Sequence, residues 1–181
     1  MAAWLGMLGG LLPLPAVAGG AVVWHAHEML FGFAMASIVG FLLTAVPNWT
    51  GAKSAPHRFI AVAAGLWLAG RLAVWTSGAL PPALVAVLDL AFVPVLASNL
   101  LTQLIKRPKP QQMIILAILT TYWIANLMVH LEWTGLTADT AWGGLRAGLL
   151  TLGSMIMVLG GRVTPGFTRN AMVQSGREHH L

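Results

Sequence analysis

The sequence predicts an all-α fold: a polytopic transmembrane helix bundle with five clear spans and an apolar N-terminal segment. Hydrophobic residues make up 57% of its 181 residues and charged residues only 8%, whereas about a quarter of the residues in a soluble domain are charged. The formal net charge of +5 comes from 10 Lys and Arg against 5 Asp and Glu, without a concentrated basic patch. This composition excludes a soluble domain, a disordered chain and a nucleic-acid-binding protein.

Five apolar runs are long enough to cross a bilayer, which takes about 20 residues. They cover 25–46, 58–78, 83–105, 112–131 and 141–162, with short polar or turn-rich breaks between them. The segment 2–23 is apolar but contains prolines and glycine pairs. It fits the end of a first helix, a re-entrant stretch, an interfacial loop or a signal peptide. We expect one integral membrane domain over 1–172 and a cytoplasmic polar tail over 173–181.

Basic residues occupy alternate breaks between these runs. Lys53 and Arg58 follow the first run, three more lie in 106–111, and further arginines follow the last run. The other breaks, 79–82 and 132–140, contain no Lys or Arg. By the positive-inside rule, the N-terminus faces outward and the C-terminus is cytoplasmic.

Two charged residues fall inside the predicted spans. Arg71 and Asp89 each lie about nine residues from the turn near residue 80, so an antiparallel hairpin places them at the same depth. Because a lone charge is costly within a membrane, we predict that they form a structural ion pair. Asn99 and Asn126 fit interhelical hydrogen bonds.

The stretch Trp24-His25-Ala26-His27-Glu28-Met29 opens the first predicted span. On a regular helix, Glu28 lies about 60° from His25, while His27 lies about 160° away. His25 therefore shares a face with small residues that allow close helix packing: Gly32, Ala36 and Gly40. We predict that His25 points into the bundle and that His27 belongs to a second centre or to the interface.

A third histidine extends this candidate site. Tyr122, Asn126 and His130 follow one another at four-residue spacing, and His130 ends at the same depth as the first two histidines. We predict His25, His27 and His130 as metal ligands, with Glu28 as a further cofactor-binding residue. The sequence has no Cys, and imidazole suits Fe, Cu and Zn. Histidines that are only solvated or hydrogen-bonded are the alternative.

The residues from Trp24 to Gly32, and again from Gly40 to Gly51, closely resemble the NnrS family of membrane proteins. Segments 66–72 and 161–170 resemble further motifs of that family, so the resemblance covers residues 20–172. It implies a multi-pass protein of the bacterial inner membrane that contains haem and copper. It also implies a link to nitric oxide metabolism, denitrification and tolerance of nitrosative stress.

The chain departs from this resemblance in two respects. Family members are longer, so the chain corresponds to an N-terminal half, and Thr164 and Gly166 replace residues that are usually apolar or aromatic in the family. The expected partners are the lipid bilayer, nitric oxide or a related small ligand, and either a second copy or a missing second half. No nucleic acid is expected.

Two other functions are compatible with the sequence. Half of a transporter or channel, without a redox cofactor, would use its intramembrane polar residues to line a water-filled path: Arg71, Asp89, Asn99 and Asn126. A non-functional truncated fragment is the other possibility. Whether the chain is an enzyme is not decided by the sequence.

The predicted orientation can be tested by labelling single cysteines in intact cells. Ser54→Cys and Lys109→Cys should resist a membrane-impermeant thiol reagent, whereas Ala138→Cys should react, because only residue 138 lies in an acidic, outward break. Labelling after permeabilisation provides the control for accessibility. Reaction of Lys109→Cys in intact cells would contradict the orientation.

Overall fold

The computed structural model describes residues 2–11, 16–51, 53–106 and 110–177, which form helices and short turns without a strand. The helices are α1 (Ala2–Leu8), α2 (Gly20–His27), α3 (Met35–Thr50), α4 (His57–Trp75), α5 (Pro82–Leu90), α6 (Phe92–Lys106), α7 (Pro110–Trp133) and α8 (Ala141–Gln174). A π-helical segment, Glu28–Ala34, joins α2 to α3. Five helical stretches are long and apolar enough to cross a membrane, which confirms the all-α polytopic bundle.

Several spans extend beyond the apolar runs. The first covers Gly20–Thr50 and ends at Gly51, whose φ of 65° requires a residue that tolerates the left-handed conformation. The predicted end of the last span near residue 162 is wrong, because α8 continues to Gln174. Its glycines and Pro165 weaken the helix locally, but the helix continues through this mostly exposed stretch. With 34 residues, α8 is about 50 Å long and exceeds the hydrocarbon thickness of about 30 Å.

The two ends of the bundle differ in character. We call one end the basic end, because it carries Lys53 and Arg58. We call the other the histidine end, because it carries His27 and His130 beside the turns 76–81 and 134–140. At the histidine end, α1 is only seven residues long and is too short to span a membrane. Its Met7 joins a small hydrophobic cluster with Trp24, Ala73, Val74 and Val85. The N-terminal segment therefore covers one end of the bundle, while Pro13 and Pro15 lie outside the described residues.

A proline interrupts the third span. Pro94 has no N–H, so the carbonyl of Leu90 loses its usual partner four residues later. The helix changes from α5 to α6 at Ala91, and the Trp123 indole of α7 donates a hydrogen bond to the Leu90 carbonyl at 3.0 Å. This bond links α7 to the chain directly beside Asp89.

Glycines on α8 allow the closest approach between two helices. A Cβ atom at Gly144 would lie 2.5 Å from the carbonyl oxygen of Ala125 on α7, and one at Gly148 would lie 2.6 Å from the Phe31 ring. The small-residue row predicted from Gly32 to Gly40 does not serve this purpose. Gly32 accommodates the Arg71 side chain, and Gly40 has open space around it.

Alanine substitutions on α8 test this packing. Gly144→Ala should destabilise the protein by about 1–3 kcal/mol, because the added methyl group must displace the α7 backbone. Gly153→Ala is the matched control, since nothing lies within 4 Å of its added Cβ and alanine favours helix. Unfolding by denaturant in detergent measures both, and equal stability of the two variants would contradict the close α7–α8 contact.

Candidate metal centre

Asp89 lies at the centre of a buried polar network at the histidine end. Asp89 is only 4% exposed to solvent. Gly70 allows α4 to approach closely, because a Cβ at that position would lie 3.1 Å from the Asp89 Cα. Asp89 Oδ2 accepts hydrogen bonds from Asn126 Nδ2 and from His130 Nε2, both at 2.8 Å. One carboxylate oxygen therefore connects two residues of α7.

Arg71 connects this carboxylate to a second one. Its guanidinium contacts Asp89 Oδ1 through Nη2 and Glu28 Oε1 through Nη1, the latter at 2.7 Å. The structure thus places the two residues of the sequence-predicted ion pair in contact and adds Glu28, which sequence reasoning had assigned to a cofactor. With neutral imidazoles, two carboxylates and one guanidinium leave the network with a net charge of −1.

The histidines of this network are His27 and His130. The His27 residue is 0% exposed and His130 is 1% exposed. His27 Nε2 lies 2.8 Å from Asn126 Oδ1 and 3.3 Å from Asp89 Oδ2. The two rings meet edge to face with centroids 5.3 Å apart. Both Nε2 atoms therefore point at the same carboxylate oxygen, from α2 and from α7.

Aromatic rings enclose the two imidazoles. The Trp133 ring lies 4.9 Å from His27 and 5.1 Å from His130, and the Phe31 ring lies 5.2 Å from His27. Among the described residues, the Nδ1 atoms of both histidines are buried without a hydrogen-bond partner. These rings thus keep the polar network in an apolar, water-poor environment.

Irregular backbone in the π-helical segment anchors the first span to its neighbours. The Tyr122 hydroxyl of α7 donates to the Leu30 carbonyl at 2.6 Å, and the Trp67 indole of α4 donates to the Gly32 carbonyl at 3.0 Å. These donors satisfy carbonyls that widened helical turns present sideways. They hold His27 and Glu28 at fixed height against α4 and α7.

The prediction that His25 points into the bundle is wrong, and His27, which was assigned to a second centre or to the interface, is the histidine that lies beside His130. His25 is partly exposed, and its ring stacks on Trp4 of α1 with centroids 4.1 Å apart, away from His130. The inward face of this span is the one that carries bulky residues: Trp24, His27, Phe31, Met35 and Leu42. Large side chains fill the space on this face of the span, and close glycine contacts occur on α4 and α8.

Three side chains of the network lie close enough together to hold one metal ion. Ligand atoms of His27, Asp89 and His130 all lie within 4.8 Å of one another. The Nε2 atoms of His27 and His130 lie 3.3 and 2.8 Å from Asp89 Oδ2. Two ligand atoms that each lie about 2 Å from one metal ion are about 3 Å apart, so these separations fit such a site. The net negative charge of the network also fits a bound cation.

A haem does not fit the same place. The cavity that adjoins Arg71, Asp89 and Asn126 has a volume of about 10 Å³, whereas pockets for organic ligands measure about 300 Å³ or more. Two larger hollows, of about 160 and 300 Å³, have no His or Met in their linings. Among the described residues, His27, Asp89 and His130 could therefore hold a metal ion, whereas the cavity beside them is too small for a haem.

Comparison with known proteins gives one positive result. A family model described as NnrS protein matches residues 1–181. No curated protein matches the chain, and no solved structure does.

Neutralising each of the two carboxylates that contact Arg71 tests which of them contributes more to the stability of the protein. Asp89→Asn should destabilise the protein by about 3–5 kcal/mol, as when one partner of a buried ion pair is removed. Glu28→Gln, which is equally isosteric, should cost less, because the Glu28 side chain is 17% exposed and that of Asp89 only 1%. Denaturant unfolding in detergent measures both, and a larger loss for Glu28→Gln would contradict the central position of Asp89.

Proposed function

The chain belongs to the NnrS family, and on that basis we propose that it is a membrane copper protein of the nitric oxide response. Its copper ion is bound by His27, Asp89 and His130. The protein contributes to tolerance of nitrosative stress linked to denitrification in the bacterial inner membrane, with its N-terminus outside. The single observation that supports the copper site best is the convergence of these three side chains around Asp89 Oδ2.

The net charge of the network favours Cu(I) among the metals that its ligands suit. Two imidazoles and one carboxylate suit several transition metals, including Cu, Fe and Zn. A network of net charge −1 inside a membrane is neutralised by the monovalent Cu(I), whereas a divalent ion leaves one uncompensated positive charge in a medium of low dielectric constant. The family resemblance, which implies copper, agrees with this charge balance.

Each residue of the network has a distinct task in this proposal. Copper, when bound, supplies one-electron chemistry and the binding of small ligands. Arg71 holds Asp89 Oδ1 and thereby fixes the direction of Oδ2. Asn126 orients Asp89, and Glu28 Oε1, 3.8 Å from His27 Nδ1, is placed to accept the ring proton when Nε2 binds metal.

Haem has no such support in the described residues. The resemblance implies it, but the cavity beside the network is too small for a haem. We therefore assign no haem and no haem-dependent step to this network.

A transporter or channel half agrees less well with the geometry. Such a protein would turn Arg71, Asp89 and Asn126 towards a water-filled path. Instead these three side chains bind one another, and the adjoining cavity is only about 10 Å³. This arrangement supports a metal centre over a conduction pathway.

Copper content of purified variants tests the proposal. His27→Ala and His130→Ala should lose most of the copper that the wild-type protein binds in a one-to-one ratio. Asn126→Ala should weaken copper binding by about 10–100-fold, as is typical for residues that orient metal ligands. Elemental analysis after dialysis against a Cu(I) chelator measures the loss.

The matched controls are His25→Ala and His57→Ala, which remove an imidazole outside the network and should keep full copper content. Helical content by circular dichroism shows whether each variant is folded. Copper retained by folded His27→Ala and His130→Ala, or lost from His25→Ala alone, would overturn the assignment.

A further inference from the structure

An apolar hollow opens between α3 and α8 on the surface of the bundle. It is lined by Phe41 of α3 and by four residues of α8: Ile156, Leu159, Gly160 and Val163. Its volume of about 300 Å³ equals the lower limit of pockets that hold organic molecules, about 300 Å³. Gly160 helps to keep it open, because no described atom lies within 4 Å of a Cβ added there. The hollow therefore suits an apolar group that approaches from the membrane.

A cation lies beside this hollow, towards the basic end. The Phe41 ring contacts the Trp49 ring with centroids 6.0 Å apart, and the Arg162 guanidinium carbon lies 5.1 Å from the centroid of the Trp49 ring. Trp49 thus links the apolar wall to a positive charge. Because a guanidinium has five N–H donors, it can bind a phosphate group as well as neighbouring groups of the protein.

Arg162 lies at the depth of a phospholipid headgroup. It is about 32 Å along α8 from Ala141, where the helix begins at the histidine end, and the hydrocarbon core of a bilayer is about 30 Å thick. Trp49 is the penultimate residue of α3, and tryptophan favours the membrane–water interface. Ile156 and Leu159 lie nearer the middle of the bilayer than Arg162. The hollow is therefore at the depth of the acyl chains in the same leaflet.

The charges at the basic end favour a lipid with a negative headgroup. Within the described part of the chain, all carboxylate side chains lie at the histidine end: Glu28, Asp89, Glu132 and Asp139. Glu178 lies outside the described residues. The basic end carries several cations: Lys53, Arg58, Arg162 and Arg169. Basic side chains between membrane helices attract anionic headgroups.

We propose that the cleft between α3 and α8 binds one anionic phospholipid, with an acyl chain in the hollow and the phosphate group against Arg162. A lipid matches both parts of the cleft, whereas free phosphate would leave the hollow unfilled and a hydrocarbon would leave the cation unmatched. The proposal does not depend on the copper site, because the cleft lies towards the opposite end of the bundle from His27 and His130.

Native mass spectrometry of the full chain in detergent, with defined lipids added, measures this binding. The wild-type protein should retain one phosphatidylglycerol and bind it about fivefold more tightly than phosphatidylcholine with the same acyl chains. This fold-change corresponds to about 1 kcal/mol of attraction for one basic residue near an anionic surface. Arg162→Gln should lose the preference, and Arg162→Lys should keep it. Arg58→Gln is the matched control, because it removes an exposed charge at the same end, and it should also keep the preference.

A second pair of variants tests the hollow independently of charge. Gly160→Phe fills it and should lose most of the bound phosphatidylglycerol. Gly153→Phe is the matched control on α8, since no described atom lies within 4 Å of the added Cβ at either position and Gly153 is outside the lining. Glycerol phosphate, which carries the charge without acyl chains, should not compete with the lipid.

Several results would overturn the lipid site. They are equal affinity for the two lipids, equal effects of Arg162→Gln and Arg58→Gln, unchanged lipid binding by folded Gly160→Phe, and displacement of the lipid by glycerol phosphate. A protein dimer that forms in place of the lipid complex would also overturn it, by assigning the cleft to a second copy. Helical content by circular dichroism shows whether each variant is folded. The copper content of the same samples tests the proposed function separately.

Discussion

An ionised carboxylate within a membrane must be surrounded by donors, and Asp89 imposes this requirement on the whole bundle. Removing such a group from water costs several kcal/mol, which only close partners can offset. Arg71 approaches from α4, and Asn126 and His130 approach from α7. Two helices, α4 and α7, are therefore fixed relative to one residue of α5.

Irregularities of the helices make these approaches possible. Pro94 frees the carbonyl of Leu90 for Trp123, and the π-helical segment presents carbonyls to Trp67 and Tyr122. In a membrane, backbone groups freed in this way must be satisfied within the protein. Each irregularity thus adds a link between helices beside the network, and the same features that weaken a helix locally hold the side chains of the network in position.

The sequence predicts the parts of this arrangement that depend on distance along the chain. Equal spacing from a turn puts Arg71 and Asp89 at one depth, and four-residue spacing puts Asn126 and His130 on one face. It does not show which face of a helix turns inward, since the angle between His25 and His27 is the same in either orientation. Packing of large side chains decides that question, and it selects His27. The sequence also does not predict that α7 brings His130 to Asp89, because residues 41 positions apart meet only through the three-dimensional arrangement of the helices.

The central claim is that two imidazoles and one carboxylate bind a single copper ion. X-ray absorption at the copper edge of the purified, Cu(I)-loaded chain tests it most directly, because the method reports the elements around the metal and the outer-shell scattering of imidazole rings. The account predicts only nitrogen and oxygen neighbours, with two imidazoles per copper in the wild-type protein and one in His130→Ala that retains residual metal. A sulfur neighbour from methionine, or an unchanged two-imidazole spectrum in His130→Ala, would contradict it.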